Sequence, residues 1–226
     1  MNSFDACVIG QIVKDYNFLP VKGKKCVKLA GGTAFYSTHA YYTLGLKTAV
    51  LTSFNKNDIF DLTPDFKNGK ISIFNNKKAT TTEFRNYYRK NKLNFRSQEA
   101  IFNNRPVSGK LVKAKIYHFG PLILNDIDVK LYQVVKKLNG LKVLDIQGLN
   151  RSIREKKIIE KRNTKVGKFL KYFNILKCDS RELHLIKKFD DKYKIINYLF
   201  DIGISEVIVT KGVFGSTIYS KSEGKI

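Results

Sequence analysis

Three polar side chains follow predicted strands of this 226-residue chain at the end where parallel sheets bind ligands. Asp15 comes after the apolar run of residues 4–13, in the loop that we expect beyond that strand, and its carboxylate can accept hydrogen bonds from two vicinal hydroxyl groups. Gln147 and Arg151 follow the predicted strand of residues 142–146, where an amide and a guanidinium can bind hydroxyl groups or phosphate. The structural alternatives are a solvated loop aspartate and an arginine that pairs with a loop carboxylate.

A double glycine, Gly31-Gly32, precedes the predicted helix of residues 34–45, which is expected to start near a capping threonine, Thr33. Glycines allow the backbone to approach a ligand closely, and the helix N-terminus that follows them offers free N–H groups. The same pattern also fits a plain tight turn.

Two further patterns have an ordinary structural interpretation. Asp179 and Glu182 are spaced as a capping box at the start of a helix. Thr210, Gly212 and Gly215 directly follow a predicted strand, where the pattern by itself is consistent with a hairpin.

The composition bounds the class of protein. Three cysteines form neither a CxxC pair nor an even disulfide set, and the histidines lack metal-ligand spacing, so we expect a reducing interior and no structural zinc. There is no signal-like segment and no apolar run near the ~20 residues of a membrane helix, which predicts a cytoplasmic protein without a membrane partner.

The chain is strongly basic, with 42 Lys and Arg against 19 Asp and Glu, a formal net charge of +23. Residues 151–171 hold nine Lys or Arg against two Glu. Such a charge attracts phosphates or nucleic acid, so a nucleic-acid-binding protein is the competing class. However, the lysines are spread along the chain and no nucleic-acid motif is present, so nucleic acid is not expected as a partner.

The predicted elements alternate between strands and helices, as in a parallel sheet with crossover helices. The strands are expected at 4–13, 46–53, 115–119, 142–146, 173–176, 206–210 and 216–219, and the helices at 34–45, 126–138, 180–186 and 193–200. Two β-rich interruptions, 16–29 and 70–98, predict a small β lid. The expected fold is a single three-layer α/β domain over residues 1–226, with a mainly parallel central sheet.

Over nearly its whole length the chain resembles the ribokinase-like carbohydrate kinases, also called the PfkB family. The segments that carry the resemblance are VIGQIVKD, GGTAFYSTHAYYTLGLKTAVLT, TTTEFRNYY, IYHFGPLI, DIQGLNR, LKCDSREL and VIVTKGVFGSTIY. A Walker A loop is absent, but this family holds ATP by another route. The resemblance implies a three-layer fold, ATP and Mg²⁺ as cofactors, and a homodimer formed through the lid.

The resemblance also implies roles for individual residues. Those expected to bind the substrate are Asp15, Gly31, Gly32, Gln147 and Arg151. Those expected to bind the nucleotide are Thr210, Gly212 and Gly215. Asp179 and Glu182 take the place of the motif NxxE, which helps to organise Mg²⁺. The sequence departs from the family at Asp179, where asparagine is usual, and at Tyr36, where a substrate-contacting asparagine is usual.

The implied activity is transfer of the γ-phosphoryl group of ATP to a hydroxyl group of a carbohydrate or nucleoside. The patterns leave hexose, pentose, inositol and nucleoside open as substrates. The family's GAGD motif, whose aspartate serves as the catalytic base, does not occur in the sequence. We therefore expect an incomplete kinase that is nearly inactive by itself, with a noncatalytic sugar- or nucleotide-binding protein as the alternative.

Overall fold

The computed structural model describes residues 3–20, 25–58, 64–76, 80–89, 92–101, 105–164 and 166–225. The strands are β1 (Phe4–Ile9), β2 (Val13–Phe18), β3 (Cys26–Gly31), β4 (Thr48–Thr52), β5 (Ser72–Asn75), β6 (Glu83–Arg89), β7 (Lys92–Ile101), β8 (Ala114–Phe119), β9 (Leu141–Asp145), β10 (Arg151–Arg154), β11 (Lys157–Glu160), β12 (Ile175–Asp179), β13 (Glu206–Thr210), β14 (Ser216–Ser220) and β15 (Gly224–Lys225). The α-helices are α1 (Thr33–Thr43), α2 (Pro64–Lys67), α3 (Val129–Val134), α4 (Gly167–Leu170), α5 (Ser180–Ile186) and α6 (Lys192–Asp201).

Nine strands form the main sheet, in the spatial order β15-β14-β13-β12-β9-β8-β1-β4-β5. The seven strands from β13 to β5 run parallel, whereas β14 and β15 are antiparallel additions at one edge. Every residue of β4 is buried, as expected for a strand covered on both faces.

Side-chain alternation along β1 and β4 divides the core between the two faces of the main sheet. Val8 and Val50 pack with Ala34 and Phe35 of α1 on one face. Their neighbours on the strands, such as Ile9, join the larger cluster on the opposite face, which includes residues of α3, α5 and α6. This arrangement gives three layers, so the predicted α/β fold with a mainly parallel central sheet is confirmed.

Six strands form a second sheet, which we call the lid sheet, in the order β10-β11-β7-β6-β2-β3. The chain enters it only three residues after β1 ends, and returns through the antiparallel β2–β3 pair to the start of α1. β2 also pairs in parallel with β6, which places the first hairpin beside the β6–β7 hairpin.

Several sequence-based boundaries differ from the structure. Asp15 lies within β2 of the lid sheet, not in a loop after β1, because the apolar run breaks at Gly10 and a new strand starts at Val13. Gly32, not Thr33, is the N-cap of α1, and it provides no side-chain hydrogen bond. The predicted helix of residues 126–138 contains only α3 and a 3₁₀ turn at residues 135–137.

The predicted lid segments differ in extent from the lid sheet. The first hairpin extends over residues 13–31, beyond the predicted 16–29, while residues 21–24, 77–79, 90 and 91 of the two segments lie outside the described part of the chain. β5 belongs to the main sheet, because it pairs in parallel with β4. The basic segment 151–171 contributes β10 and β11, two lid strands that the sequence analysis did not predict.

None of the helices in the described ranges is long and apolar enough to cross a membrane.

Candidate functional site

A cavity of about 460 Å³ lies between the lid sheet and the main sheet, and we call it the lid cavity. The lid sheet contributes Asp15, Asn17, Phe84, Tyr88 and Gln98 to its lining. The opposite wall comes from Gly32 and Tyr36 at the start of α1, and from Asp145, Gln147 and Lys177 at or near the ends of β9 and β12. Arg151, the first residue of lid strand β10, also lines the cavity. Four of the five residues predicted to bind substrate therefore line one cavity.

Gly31, the fifth of these residues, does not line the cavity but contacts Asp15, which does. It lies beside Asp15 on the paired strands β2 and β3. A Cβ atom on Gly31 would overlap Oδ2 of Asp15 and come within 2.7 Å of its Cγ. The absence of a side chain at this position therefore leaves room for the Asp15 carboxylate.

Gly32 has the conformation that its position requires. Its φ is +91°, a region that favours glycine, and a Cβ atom on it would lie 2.5 Å from the carbonyl oxygen of Gln11. Because no side chain caps α1, the first N–H groups of this helix are available beside the lid cavity. Tyr36, 56% exposed, lines the cavity one turn later, where the resemblance led us to note a missing asparagine.

Arg151 lines the lid cavity and is also paired within the protein. Its Nη2 and Nε donate to Oε1 of Glu160 on β11, at 3.0 and 3.2 Å. Nη2 lies 3.6 Å from Oε1 of Glu182 on α5. The structural alternative for Arg151, pairing with a carboxylate, is therefore seen, although Glu160 lies on a strand and not in a loop; substrate binding by Arg151 stays a prediction. Gln147 reaches the same cavity from the 3₁₀ turn of residues 147–150.

An ion pair that the sequence analysis missed lies in the wall of the lid cavity. Nζ of Lys177 on β12 is 2.6 Å from Oδ2 of Asp145, whose side chain is only 6% exposed, at the end of β9. The buried His118 lies near both, and its burial lowers its pKa to about 4. Asp145 and Lys177 both lie in segments that carried the family resemblance, but their contact comes from the pairing of β9 with β12.

A second cavity, of about 520 Å³, lies between the start of α5 and the turn after β13, and we call it the loop cavity. Its lining includes the predicted nucleotide-binding residues Thr210 and Gly212, together with Asp179, Arg181 and Lys211. Gly215, the third predicted nucleotide-binding residue, is not part of this lining; it follows the 3₁₀ turn of residues 212–214 with a φ of +77°.

Asp179 and Glu182 form a capping box at the N-terminus of α5. Oδ1 of Asp179 accepts from the N–H groups of Arg181 and Glu182, both at 2.7 Å, and Oε2 of Glu182 accepts from the Asp179 N–H at 2.8 Å. Oδ2 of Asp179 accepts from Arg181, and burial raises the pKa of the Glu182 carboxyl to about 7.

These two carboxylates do not fit a direct Mg²⁺ site. The capping bonds use an oxygen of each, and the remaining Glu182 oxygen is buried near Arg151. Within the described ranges, no group of three or more His, Cys, Asp or Glu side chains is placed to hold a metal ion.

Charged side chains connect the two cavities. Oε2 of Glu160 lies 4.0 Å from Nη1 of Arg181 in the loop cavity, while Oε1 binds Arg151 in the lid cavity. Arg151 also faces Glu182, the residue that completes the capping box beside the loop cavity. The two cavities are therefore neighbours that share one group of ion pairs.

No protein-family model matches the sequence, and no curated protein matches it significantly. Solved structures match it over almost the whole chain. A pyrophosphate-dependent kinase of the ribokinase family, in complex with a pyrophosphate analogue and myo-inositol, superposes with a TM-score of 0.77 at 22% identity, covering 96% of this chain and 76% of the kinase.

Two further structures extend the comparison. Arabidopsis thaliana ribokinase, complexed with ribose and ATP, gives a TM-score of 0.67 at 16% identity, covering 100% of this chain and 77% of the ribokinase. The Methanocaldococcus jannaschii nucleoside kinase gives 0.68 at 18% identity, with coverages of 98% and 75%. The chain therefore has the ribokinase-like fold, and the resemblance noted in the sequence is confirmed at the level of the fold.

Proposed function

We propose that this chain, which has the ribokinase-like fold, is a kinase-type phosphotransferase that binds a small polyhydroxylated acceptor in the lid cavity. The observation that carries the proposal is the convergence of Asp15, Gly32, Gln147 and Arg151 on that cavity from two distant parts of the sequence, residues 15–32 and 147–151. Amide and backbone groups at the open end of a parallel sheet, with a carboxylate on the lid that covers them, suit a molecule with many hydroxyl groups.

The charges of the lid cavity support an uncharged acceptor. Its two cations already have carboxylate partners, because Arg151 pairs with Glu160 and Lys177 pairs with Asp145. In this proposal, Asp15 accepts hydrogen bonds from two hydroxyl groups of the acceptor, and the N-terminus of α1 stabilises negative charge that develops nearby.

The loop cavity is proposed to bind the phosphoryl donor. Its glycine turn lets a ligand approach the backbone. Lys211, whose Nζ donates to the Thr217 hydroxyl group, is a cation suited to linked phosphates, and the exposed Arg181 can bind them if it exchanges its contact with Asp179 for the ligand. ATP is the donor implied by the resemblance. Pyrophosphate is the second candidate, because a structural neighbour is described as pyrophosphate-dependent. Because Asp179 and Glu182 do not fit direct coordination, no step of the proposal depends on Mg²⁺ bound by them.

No residue is assigned as the catalytic base, since the sequence contains no GAGD motif. Loss of a general base typically costs about 10²–10⁴ in rate, so we expect little turnover by these 226 residues. Binding is accordingly the property to measure first. The homodimer through the lid and the cytoplasmic location also stay predictions.

The test is a thermal-shift screen of the chain with myo-inositol, D-ribose, D-fructose and adenosine, each with and without ATP or pyrophosphate. We expect at least one acceptor to raise the unfolding temperature by about 5–10 °C at a hundredfold excess over its Kd. Phosphorus NMR of the same mixtures detects any phosphorylated product, which separates a kinase from a noncatalytic binding protein. Absence of any shift across the panel would contradict the proposal.

A further inference from the structure

Three side-chain amides form a hydrogen-bonded row across the lid sheet. Asn17 on β2 lies opposite Asn86 on β6, and Asn86 lies opposite Gln98 on β7. Nδ2 of Asn86 donates to Oδ1 of Asn17 at 2.9 Å, and Nε2 of Gln98 donates to Oδ1 of Asn86 at 2.8 Å. We call these three residues the amide row.

The row has a direction, and its two ends differ chemically. Asn17 uses its oxygen as an acceptor within the row, which leaves its Nδ2 group as a donor. Gln98 uses its nitrogen as a donor within the row, which leaves its Oε1 as an acceptor. Asn17 and Gln98 both line the lid cavity, whereas Asn86 is 1% exposed and is not in the lining. The buried Asn86 thus sets which polar atom each end can offer to a ligand.

We propose that the amide row determines which acceptor the lid cavity selects, by binding two separate hydroxyl groups of a cyclic polyol or sugar. This inference rests on the proposed function. The free donor and the free acceptor belong to strands two positions apart in the sheet, about 9–10 Å between backbones, with Asn86 between them. Such a pair does not match one edge of a nucleobase, whose donor and acceptor are adjacent.

Hydroxyl groups match this arrangement because each can both donate and accept. One hydroxyl accepts from Nδ2 of Asn17, and another donates to Oε1 of Gln98. Asp15, two residues before Asn17 on the same face of β2, accepts from the hydroxyl groups nearest to it. A molecule without a hydroxyl group at one of these places leaves a half-buried amide unpaired, so we expect its affinity to be roughly tenfold lower.

Two substitutions of Asn86 test the row without touching the cavity lining. Asn86→Leu removes both internal hydrogen bonds. Asn86→Asp can still accept from Gln98 but cannot donate to Asn17, so the Asn17 amide turns and offers its oxygen to the cavity. Tyr87→Phe is the matched control, because Tyr87 is the next residue of β6, has its hydroxyl group bonded to Glu99, and lies on the opposite face of the lid sheet.

The measurement is calorimetric titration of each folded variant with myo-inositol, D-ribose, D-fructose and adenosine, and with monodeoxy and monofluoro analogues of the best ligand. We expect the wild type to bind a sugar or inositol more tightly than adenosine, and Asn86→Leu to reduce that preference about tenfold. A fluorine accepts but does not donate, so an analogue fluorinated at the hydroxyl that faces Asn17 should lose affinity in Asn86→Asp relative to the wild type. Tyr87→Phe should keep the wild-type ranking.

The possible failures have different meanings. If the wild type binds a polyol and Asn86→Leu and Asn86→Asp keep its ranking of ligands, the amide row does not select the acceptor, and the proposed function is unaffected. If the wild type prefers adenosine, this inference is overturned while a kinase role stands. If no compound binds, both proposals are wrong. Should Asn86→Leu and Asn86→Asp not fold, Gln98→Met removes the acceptor end of the row directly. The proposal then predicts about a tenfold loss of affinity for the best polyol, with no loss for its analogue that lacks the hydroxyl group facing Gln98, and equal losses for both compounds would overturn it.

Discussion

The carboxylate of Asp15 occupies the space that a side chain on Gly31 would need. Oδ2 of Asp15 would overlap a Cβ atom on Gly31, and Cγ would lie 2.7 Å from it. Asp15 and Gly31 come from the paired strands β2 and β3, so the hairpin itself holds the carboxylate over the lid cavity. The proposed acceptor site therefore depends on a residue that does not line the cavity.

Gly31→Ala should displace the Asp15 carboxylate and weaken acceptor binding. We expect at least about a tenfold loss of affinity for whichever polyol binds. The unfolding free energy should change little, because the only atoms that must move belong to the half-buried Asp15 side chain and not to the backbone. Calorimetric titration and urea unfolding measure the two effects. Gly167→Ala is the control, because a Cβ atom on Gly167 makes only an ordinary contact, 3.4 Å from the Tyr198 hydroxyl oxygen. Equal affinity in Gly31→Ala and Gly167→Ala would show that Gly31 has no such role.

The ion pair between Arg151 on β10 and Glu160 on β11 should stabilise the hairpin that these two strands form. The side chain of Arg151 is 9% exposed, and its guanidinium makes two hydrogen bonds to the carboxylate. In a double-mutant cycle with Arg151→Met and Glu160→Gln, we expect an interaction energy of about 1–3 kcal/mol in urea unfolding. Additive effects of the two substitutions would contradict this expectation.

The capping box at α5 predicts different outcomes for two substitutions of Asp179. Asp179→Ala removes the acceptor for two backbone N–H groups and should cost about 0.5–2 kcal/mol of unfolding free energy. Asp179→Asn keeps a capping oxygen, so its stability should lie within about 0.5 kcal/mol of the wild type. Asp179→Asn also removes a negative charge from the loop cavity, and ATP or pyrophosphate should bind it at least as tightly. Weaker binding of ATP and pyrophosphate by Asp179→Asn would contradict this expectation and would mean that the Asp179 charge itself supports donor binding.

Asp126 should make stability decrease as the pH rises. Burial raises the pKa of its carboxyl to about 7, from 3.8, although Oδ2 accepts from the N–H groups of Leu122 and Ile123. Between these two pKa values the folded protein holds a proton that the unfolded chain releases, so its stability falls from about pH 4 to pH 7 and is level above that.

Asp126→Asn removes this proton and keeps an oxygen for the two N–H groups. The wild type should lose up to about 4 kcal/mol relative to Asp126→Asn between pH 4 and pH 8, measured by urea unfolding. His118, whose lowered pKa acts in the opposite direction, is present in both proteins and cancels in the comparison. A pH-independent difference would mean that Asp126 is ionised throughout.

The sequence predicts the main sheet well because its signals are local. β4 is a short β-branched and apolar run between a glycine-ended helix and polar residues, and α5 begins at a capping box. Those features specify strands and caps without knowledge of the tertiary structure.

The lid sheet was harder to predict. β10 and β11 are charged strands, and their turn uses two non-glycine residues with positive φ, Glu155 and Lys156 at 50° and 66°. This turn carries none of the usual Asn-Gly or Gly signals. β5 has a β-rich sequence like that of a lid strand, and only its parallel pairing with β4 assigns it to the main sheet.

In the candidate site, too, some features follow from the local sequence, whereas others depend on the pairing of distant strands. Asp15, Gly31 and Gly32 are predicted from their positions after a strand or before a helix, together with the family resemblance, although Asp15 lies on a lid strand instead of the predicted loop. The Lys177–Asp145 pair connects residues 32 positions apart, through the pairing of two strands. Sequence spacing carries no information about such a pairing.

The most direct test of the account is calorimetric titration of the wild type, Asp15→Asn and Asp201→Asn with the acceptor found in the thermal-shift screen. Asp201 is an exposed aspartate at the end of α6 that lines neither cavity, so its substitution controls for the loss of one charge. We predict saturable binding by the wild type and Asp201→Asn. The affinity of Asp15→Asn should be about 10–100-fold lower, because the ligand's hydroxyl groups lose their hydrogen bonds to the charged Asp15 carboxylate. Equal affinity of Asp15→Asn and the wild type for that acceptor would contradict the assignment of the lid cavity as the acceptor site.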